Sequence, residues 1–124
     1  MNEGTEDLRA IAGNLIEYIG RSAPMLVRLA EELRADEASS ASLAELQTLP
    51  DTLQTLTEFL QSASMLGYEQ ESSKILNSIL SASKIFVQAQ EVKDSSLLAD
   101  VLEYDLSESF EAIKALCQRI SSGD

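Results

Sequence analysis

The chain has 124 residues, a formal net charge of -12 and 44% hydrophobic residues, which is enough to bury a core without disulfides or metal. Its nine Lys and Arg are spread along the sequence, which argues against the basic stripe needed for nucleic acid and against attraction to anionic lipid. With 5 Gly and 2 Pro, the composition excludes a turn-rich all-β fold and favours helices.

The start of the sequence, MNEGTEDLRA, lacks the positive region and the apolar run of a signal peptide. No segment approaches the roughly 18 apolar residues of a membrane span. Cys117 is the single cysteine, so an internal disulfide cannot form. These observations favour the cytoplasm of a cell, a bacterial one, and no membrane association.

A first helix is predicted from Thr5 as its N-cap, with apolar residues at steps of three and four. Its inward face comprises Leu8, Ile11, Leu15, Ile19, Leu26, Leu29 and Leu33. Pro24 lies in a gap of this stripe and would remove a backbone hydrogen bond. Because the stripe keeps its phase across the gap, we expect one kinked helix, with two helices, the second capped by Ser22, as the alternative.

Residues 36–40 (DEASS) are predicted to form a turn, and residues 42–45 (SLAE) have the pattern of a capping box that opens a second helix at Ser42. The inward face of this helix comprises Leu43, Leu46, Leu49, Leu53, Leu56, Leu60 and Ala63. Pro50 interrupts the helix, but the apolar residues again keep their phase. A second kinked helix is therefore favoured over a split at Pro50.

Gly67 is predicted to end the second helix, and Asp94 is predicted as the N-cap of a fourth. Between them, the inward residues of the third helix are Ile75 or Leu76, Ile79, Ala82, Phe86 and Ala89. Those of the fourth helix are Leu98, Leu102, Leu106, Phe110, Ile113, Cys117 and Ile120. Short connections make neighbouring helices antiparallel, so we expect one all-α domain over residues 1–124, an up-down-up-down four-helix bundle with residues 1–4 and 121–124 frayed.

The side chains needed for most enzyme chemistry are missing. The chain has no histidine, which excludes Ser-His and Cys-His nucleophiles and a mixed His/Cys zinc site. Cys117 falls on the inward face, where cysteine behaves as a small hydrophobe. We therefore expect no catalytic residue, no cofactor and no metal, with a carboxylate-only metal-binding protein as the least favoured alternative.

Acidic residues dominate two segments, since no Lys or Arg occurs from residue 35 to 73 or from 94 to 113. On the first helix, by contrast, Glu31 and Arg34 have the spacing of a surface ion pair. If the second and fourth helices are adjacent or diagonal, their outer faces are expected to form a one-sided negative field that attracts basic partners. The alternative interpretation is a solubilising surface.

Leu97 and Val101 do not fit the inward stripe of the fourth helix and are predicted to project with its acidic face, beside Tyr104. They form either the centre of a docking patch rimmed by acid or a contact under the preceding loop or in a dimer. The candidate partner-binding residues are Leu97, Asp100, Val101, Tyr104, Asp105, Glu108 and Glu111. Glu103, at the edge of the apolar stripe, is expected to reach a base or a tyrosine hydroxyl.

Residues 97–106, LLADVLEYDL, carry a resemblance to a known family. The segment resembles an LLADxLEYxL-like helix found late in the chain of short, uncharacterised bacterial all-helical proteins. In that family a proline commonly follows, whereas residues 107–109 here contain none. The resemblance implies an all-helical domain and no known activity.

In size and acidity the chain is also similar to the export chaperones of flagellar and type III secretion systems, which bind amphipathic helices in an apolar groove. We expect a non-enzymatic protein-interaction module, adaptor or chaperone-like, whose acidic helical face binds a basic partner or an amphipathic helix. A self-associating structural homodimer domain is the alternative.

Overall fold

The computed structural model describes residues 3–123, and over that range it consists of helices and their short connections. The elements are α1 (Glu3–Arg34), α2 (Ser40–Met65), α3 (Glu69–Glu91), α4 (Ser95–Asp100), a π-helical segment (Val101–Leu106) and α5 (Ser107–Ser122). The last three follow one another without a break, with helical backbone angles at both junctions, and together form the fourth helix. None of the helices in residues 3–123 combines the length and the apolar composition of a membrane span.

The four helices form a closed ring in chain order. α1 and α3 each contact both α2 and the fourth helix. Across the described residues, α1 does not contact α3, and α2 does not contact any part of the fourth helix. This confirms the predicted up-down-up-down bundle. Its packing is uneven, because α1 packs most extensively on α5 and α2 on α3, while α1 with α2 and α3 with α5 contact less.

Both internal prolines are accommodated within continuous helices. α1 runs through Pro24 and α2 runs through Pro50, as the unbroken phase of their apolar residues predicts. Both prolines are exposed, on the side where water can reach a carbonyl that proline leaves unpaired. The alternative of split helices is wrong.

The beginning of α2 differs from the prediction. Ser39 is the N-cap, and its side-chain oxygen accepts a hydrogen bond from the backbone N–H of Ser42 at 3.1 Å. Ser42, predicted to open the helix, lies inside it and is buried. Its hydroxyl donates instead to a carboxylate oxygen of Glu32 on α1. The Ser42 side chain therefore binds α1, whereas in a capping box it would cap the end of its own helix.

The other helix ends follow local rules. Gly67 has a φ of 110° just after α2, which confirms the predicted stop. Asp94 accepts a hydrogen bond from the backbone N–H of Leu97 at 3.0 Å, as predicted for an N-cap. α1 is already helical at Glu3, before the predicted N-cap Thr5.

The chain ends were predicted to be frayed over residues 1–4 and 121–124. Residues 1, 2 and 124 lie outside the described residues. Of the others, residues 3 and 4 belong to α1, and residues 121 and 122 belong to α5.

The hydrophobic core follows the predicted stripes closely. All seven inward residues predicted for the fourth helix are buried, and on α3 Ile75 rather than Leu76 is the buried one of the pair. Two predictions are wrong, because Ile11 and Leu43 are 46% and 45% exposed. On α1, Ala12 takes the inward position instead. Buried apolar residues that the stripes also omitted are Ala30, Phe59, Ala99, Val101 and Leu116.

The π-helical segment has a cause in the apolar spacing. Leu98, Leu102, Leu106 and Phe110 follow one another at three successive steps of four. An α-helix has 3.6 residues per turn, so twelve residues would rotate the last side chain about 120° away from the first. A π-helix holds more residues per turn, so the segment keeps all four side chains inward. The hydroxyl of Ser107 donates to the Leu102 carbonyl at 3.0 Å.

Candidate protein-interaction site

The structure separates the residues of the predicted docking patch. Val101 is 1% exposed and belongs to the core. Leu97 is half-buried and packs against that core, whereas Tyr104 is 60% exposed. The prediction that Leu97 and Val101 project together with the acidic face is therefore wrong for Val101 and holds only partly for Leu97. Val101 lies three residues after buried Leu98, so the two share one side of the helix, and the packing of this segment against α1 and α3 covers Val101 as well.

The acidic residues beside this patch bind an arginine of α1. Arg34 donates to an Asp100 carboxylate oxygen at 2.7 Å and to a Glu103 carboxylate oxygen at 2.8 Å. Its guanidinium carbon lies 5.8 Å from the centroid of the Tyr104 ring, within cation–π range. The expectation that Glu103 reaches a base is confirmed. Arg34 pairs with the fourth helix rather than with Glu31 on its own helix.

The electrostatics of this cluster favour the charged forms of Glu103 and Arg34 and the neutral hydroxyl of Tyr104. Hydrogen bonds from the Tyr104 hydroxyl and from Arg34 lower the pKa of Glu103 below its ordinary value. The same contact with Glu103 raises the pKa of Tyr104. Asp100 and Glu103 raise the pKa of Arg34 further above its ordinary range. The cluster thus ties the end of α1 to the π-helical segment, and we assign it a structural role.

Ion pairs between helices also change the predicted charge distribution. Arg28 of α1 binds Glu45 of α2 at 2.5 Å, and Arg119 of α5 binds Glu71 of α3 at 2.5 Å. Glu45 and Glu71 belong to the segment 35–73, which has no Lys or Arg, and each is thus paired with an arginine of another helix. In addition, α2 and the fourth helix lie diagonally, so their outer faces point to opposite sides of the bundle. The expected one-sided negative field is wrong for this geometry.

An open groove of about 840 Å³ lies between α3 and α5, where the two helices pack least closely. Its apolar lining comes from Ile75, Ala82 and Ile85 of α3 and from Leu116 of α5. Its walls carry small side chains, and these are Ser78, Ser81, Ser109, Ala112 and Ala115. Small side chains on both walls leave the space open, because neither helix can fill it from its own surface.

The charged residues of the groove lie near its two ends. Asp105 and Glu108 line the end near the start of α5. Lys74 lines the other end, beside the ion pair of Glu71 and Arg119. Asp105 and Arg119 are separated by 14 residues (119 minus 105), or about 21 Å along a helix. The groove therefore has the length of roughly four helical turns.

Two of the sequence-predicted site residues, Asp105 and Glu108, thus reach a common groove, whereas the others do not. Asp100 and Tyr104 belong to the Arg34 cluster, and Glu111 is exposed on α5 away from the groove lining. The α3 wall was not predicted at all. The sequence feature that could have indicated this wall is a row of small residues at helical spacing on both helices. Ile85, which lies outside the predicted inward stripe of α3, is a second such feature.

A second, smaller groove of about 480 Å³ lies between α1 and α2. Exposed Ile11 lines it, together with Tyr18 and Thr52, whose hydroxyl groups are hydrogen-bonded at 2.8 Å. This bridge crosses between the two helices and partly closes the groove. The less extensive packing of α1 on α2 explains why Ile11, predicted as core, faces this opening.

The chemistry available to side chains is limited. Across residues 3–123, no group of three or more Cys, Asp or Glu side chains is placed to hold a metal ion. Cys117 is a buried free thiol, and burial raises its pKa to about 12. A thiol with such a pKa is protonated at neutral pH and is a poor nucleophile.

The chain belongs to a protein family described as a domain of unknown function, DUF8042, whose model matches residues 11–116. The match includes parts of all four helices and the whole of LLADVLEYDL. This agrees with the resemblance of that segment to an uncharacterised helical family. No curated protein and no solved structure matches the chain.

Proposed function

We propose that this DUF8042-family protein is a non-enzymatic protein-interaction module that binds an amphipathic helix of a partner protein in the groove between α3 and α5. The observation that carries the proposal is the groove itself. A four-helix bundle buries its apolar stripes by closing on itself. Here, however, the apolar-lined groove between α3 and α5 stays open over about four helical turns. An amphipathic helix is the common structure that fills such a groove.

The walls of the groove suit close helix packing. The distance between two packed helices is about 8–10 Å and depends on the side chains at the contact. Ser78 and Ser81 on one side and Ala112 and Ala115 on the other lie along the groove at helical spacing. Larger apolar side chains of a partner helix would therefore reach Ile75 and Leu116 between them. In this proposal the apolar contact lies in the groove rather than at Leu97 and Val101.

The charge of the protein supports a basic partner. A net charge of -12 raises the rate of encounter with positively charged surfaces, and Asp105 and Glu108 bring part of that charge to the groove. We place this activity in the cytoplasm, since a buried free thiol is compatible with a reducing compartment.

A bulky substitution inside the groove tests the proposal. Ala112→Trp places an indole ring in the groove without removing a core side chain. Ala44→Trp is the matched control, because Ala44 is also an exposed helical alanine and lies on α2, which does not contact the fourth helix. Each variant is first checked for native helicity and cooperative unfolding.

The measurement is a pull-down from native lysate with tagged protein. We expect wild type and Ala44→Trp to recover the same partner in stoichiometric amount, and Ala112→Trp to lose it. The helix of that partner, made as a peptide, should then bind purified wild-type protein and not Ala112→Trp. Retention of the partner by a folded Ala112→Trp variant contradicts the proposal.

Self-association is the second candidate, and exposed apolar residues on α3 favour it. Leu80 and Val87 are 48% and 50% exposed and seven residues apart, so they share one face of the helix. A dimer through this face would cover both side chains. Sedimentation velocity at micromolar concentration decides: a dimer that Leu80→Glu dissociates supports this candidate, and a strict monomer excludes it.

A further inference from the structure

We propose that the partner helix is charge-segregated, with basic residues at the end beside Asp105 and Glu108 and an acidic residue two to three turns away beside Lys74. This inference rests on the proposed function and specifies the chemistry of the ligand that the same groove accepts.

The positions of the charges along the groove carry the inference. α3 and α5 run antiparallel, and the ion pair of Glu71 and Arg119 fixes which levels of the two helices face each other. Three residues further along α3, Lys74 therefore lies at the level of residue 116 on α5. Glu108 is eight residues from that level (116 minus 108), or about 12 Å, and Asp105 is eleven, or about 16 Å. The two signs of charge are thus separated by two to three helical turns.

Among the lining residues, those at the end beside Lys74 carry one unbalanced positive charge. Glu71 and Arg119 lie in the same ion pair and offset each other. Among the described residues, Lys74 forms no ion pair, so its charge is unbalanced there. The opposite end carries Asp105 and Glu108 without a basic lining residue. The groove is therefore positive at one end and negative at the other.

The middle of the groove determines how far apart the charged residues of the partner helix lie. Ser78, Ser81 and Ala112 line it there, and none of them carries charge. A charged side chain of a bound helix that pointed into this region would lose water without gaining a partner of opposite sign. A partner helix with an uncharged middle and oppositely charged ends therefore complements the groove best.

The same charges argue against a second copy of the chain as the occupant. Each copy carries a net charge of -12, so two copies repel each other over the distances of an encounter. The acidic end of the groove adds to this repulsion. A partner helix with a basic end has no such barrier.

Two labelled helical peptides of identical composition test the inference. Both carry an Ala/Leu stripe, two Lys and one Glu, and both are held helical by the same side-chain staple on the solvent face. In the segregated peptide the Glu lies three turns from the Lys pair, and in the mixed peptide it lies between the two Lys. Fluorescence anisotropy measures their Kd for the full-length protein at low and high salt.

We expect the segregated peptide to bind wild type about fivefold more tightly, and the difference to shrink at high salt, since exposed ion pairs are weak and screened. Asp105→Asn/Glu108→Gln should reduce this preference, because only the contact between the peptide Glu and Lys74 then remains. The matched control is the double neutralisation Asp51→Asn/Glu58→Gln on α2, which lies diagonally opposite the fourth helix. This variant should still prefer the segregated peptide.

The outcomes separate the inference from the function on which it rests. If both peptides bind wild type equally, or if the mixed peptide binds more tightly, charge segregation is overturned while helix binding stands, provided that Ala112→Trp abolishes the binding. If neither peptide binds, or if Ala112→Trp binds them as wild type does, helix binding in this groove is overturned and the inference falls with it. A preference that Asp105→Asn/Glu108→Gln leaves undiminished also overturns the inference.

Discussion

Replacing Val101 by alanine tests whether this residue belongs to the hydrophobic core. An interpretation from helical spacing alone puts Val101 on the outside, whereas the structure leaves it 1% exposed. Val87 is the matched control, because it is also a valine within a helix but is 50% exposed. The two substitutions remove the same atoms and differ in what surrounds them.

The expected cost follows from burial. Removing two buried methyl groups costs about 0.8 kcal/mol each in transfer free energy, and the residual cavity brings the total to about 2 kcal/mol for Val101→Ala. For a chain of this length such a loss lowers Tm by about 8 °C. Val87→Ala should change the free energy of unfolding by no more than about 0.5 kcal/mol, since alanine is the better helix former and little burial is lost.

Urea denaturation followed by far-UV circular dichroism measures both variants. A lower midpoint with an unchanged slope reports a loss of stability rather than a change in the unfolded state. If Val101→Ala unfolds within about 0.5 kcal/mol of Val87→Ala, Val101 is not in the core. The docking patch of Leu97, Val101 and Tyr104 would then need to be considered again.

Three further results are expected. Ser39→Ala should destabilise the protein by about 1 kcal/mol through loss of the α2 cap, and Ser40→Ala should cost little, so equal effects in urea denaturation would contradict the observed helix start. The buried thiol of Cys117 should react slowly with a disulfide reagent in the native protein and fully in urea, whereas rapid native reaction would show that it is accessible. Arg34→Met should destabilise the protein at neutral pH. Because the pKa of Glu103 is lowered from 4.5, the stability from its pair with Arg34 is present above that value and is lost as the pH falls through the lowered pKa. The difference in urea midpoint between wild type and Arg34→Met should therefore shrink below about pH 4, and a constant difference at pH 3 would refute this role.

Part of the candidate site could be predicted because it depends on a single helix. Asp105 and Glu108 share a face of the fourth helix whatever the other helices do, and that face was proposed for partner binding from spacing alone. The α3 wall of the groove could not be predicted in the same way. Ser78 and Ile85 become part of a site only because α3 and α5 stay apart along their length.

The helices, their order and most of their buried faces follow from local sequence patterns. Apolar residues at steps of three and four define one face of a helix regardless of its neighbours, so the seven inward residues of the fourth helix were predicted correctly. The ends at Gly67 and Asp94 were also predicted, because a positive φ and an N-cap are local features.

The burial of Val101, the partners of Arg34 and the groove depend instead on how the four helices pack. Leucines at steps of four in LLADVLEYDL indicate more residues per turn than the 3.6 of an α-helix. The π-helical segment is required because these leucines are all buried against α1 and α3. Arg34 meets Asp100 and Glu103 across 66 and 69 residues of sequence. Helical periodicity describes directions around one axis, whereas contacts and gaps between helices depend on the distances between axes, which packing of all four helices sets.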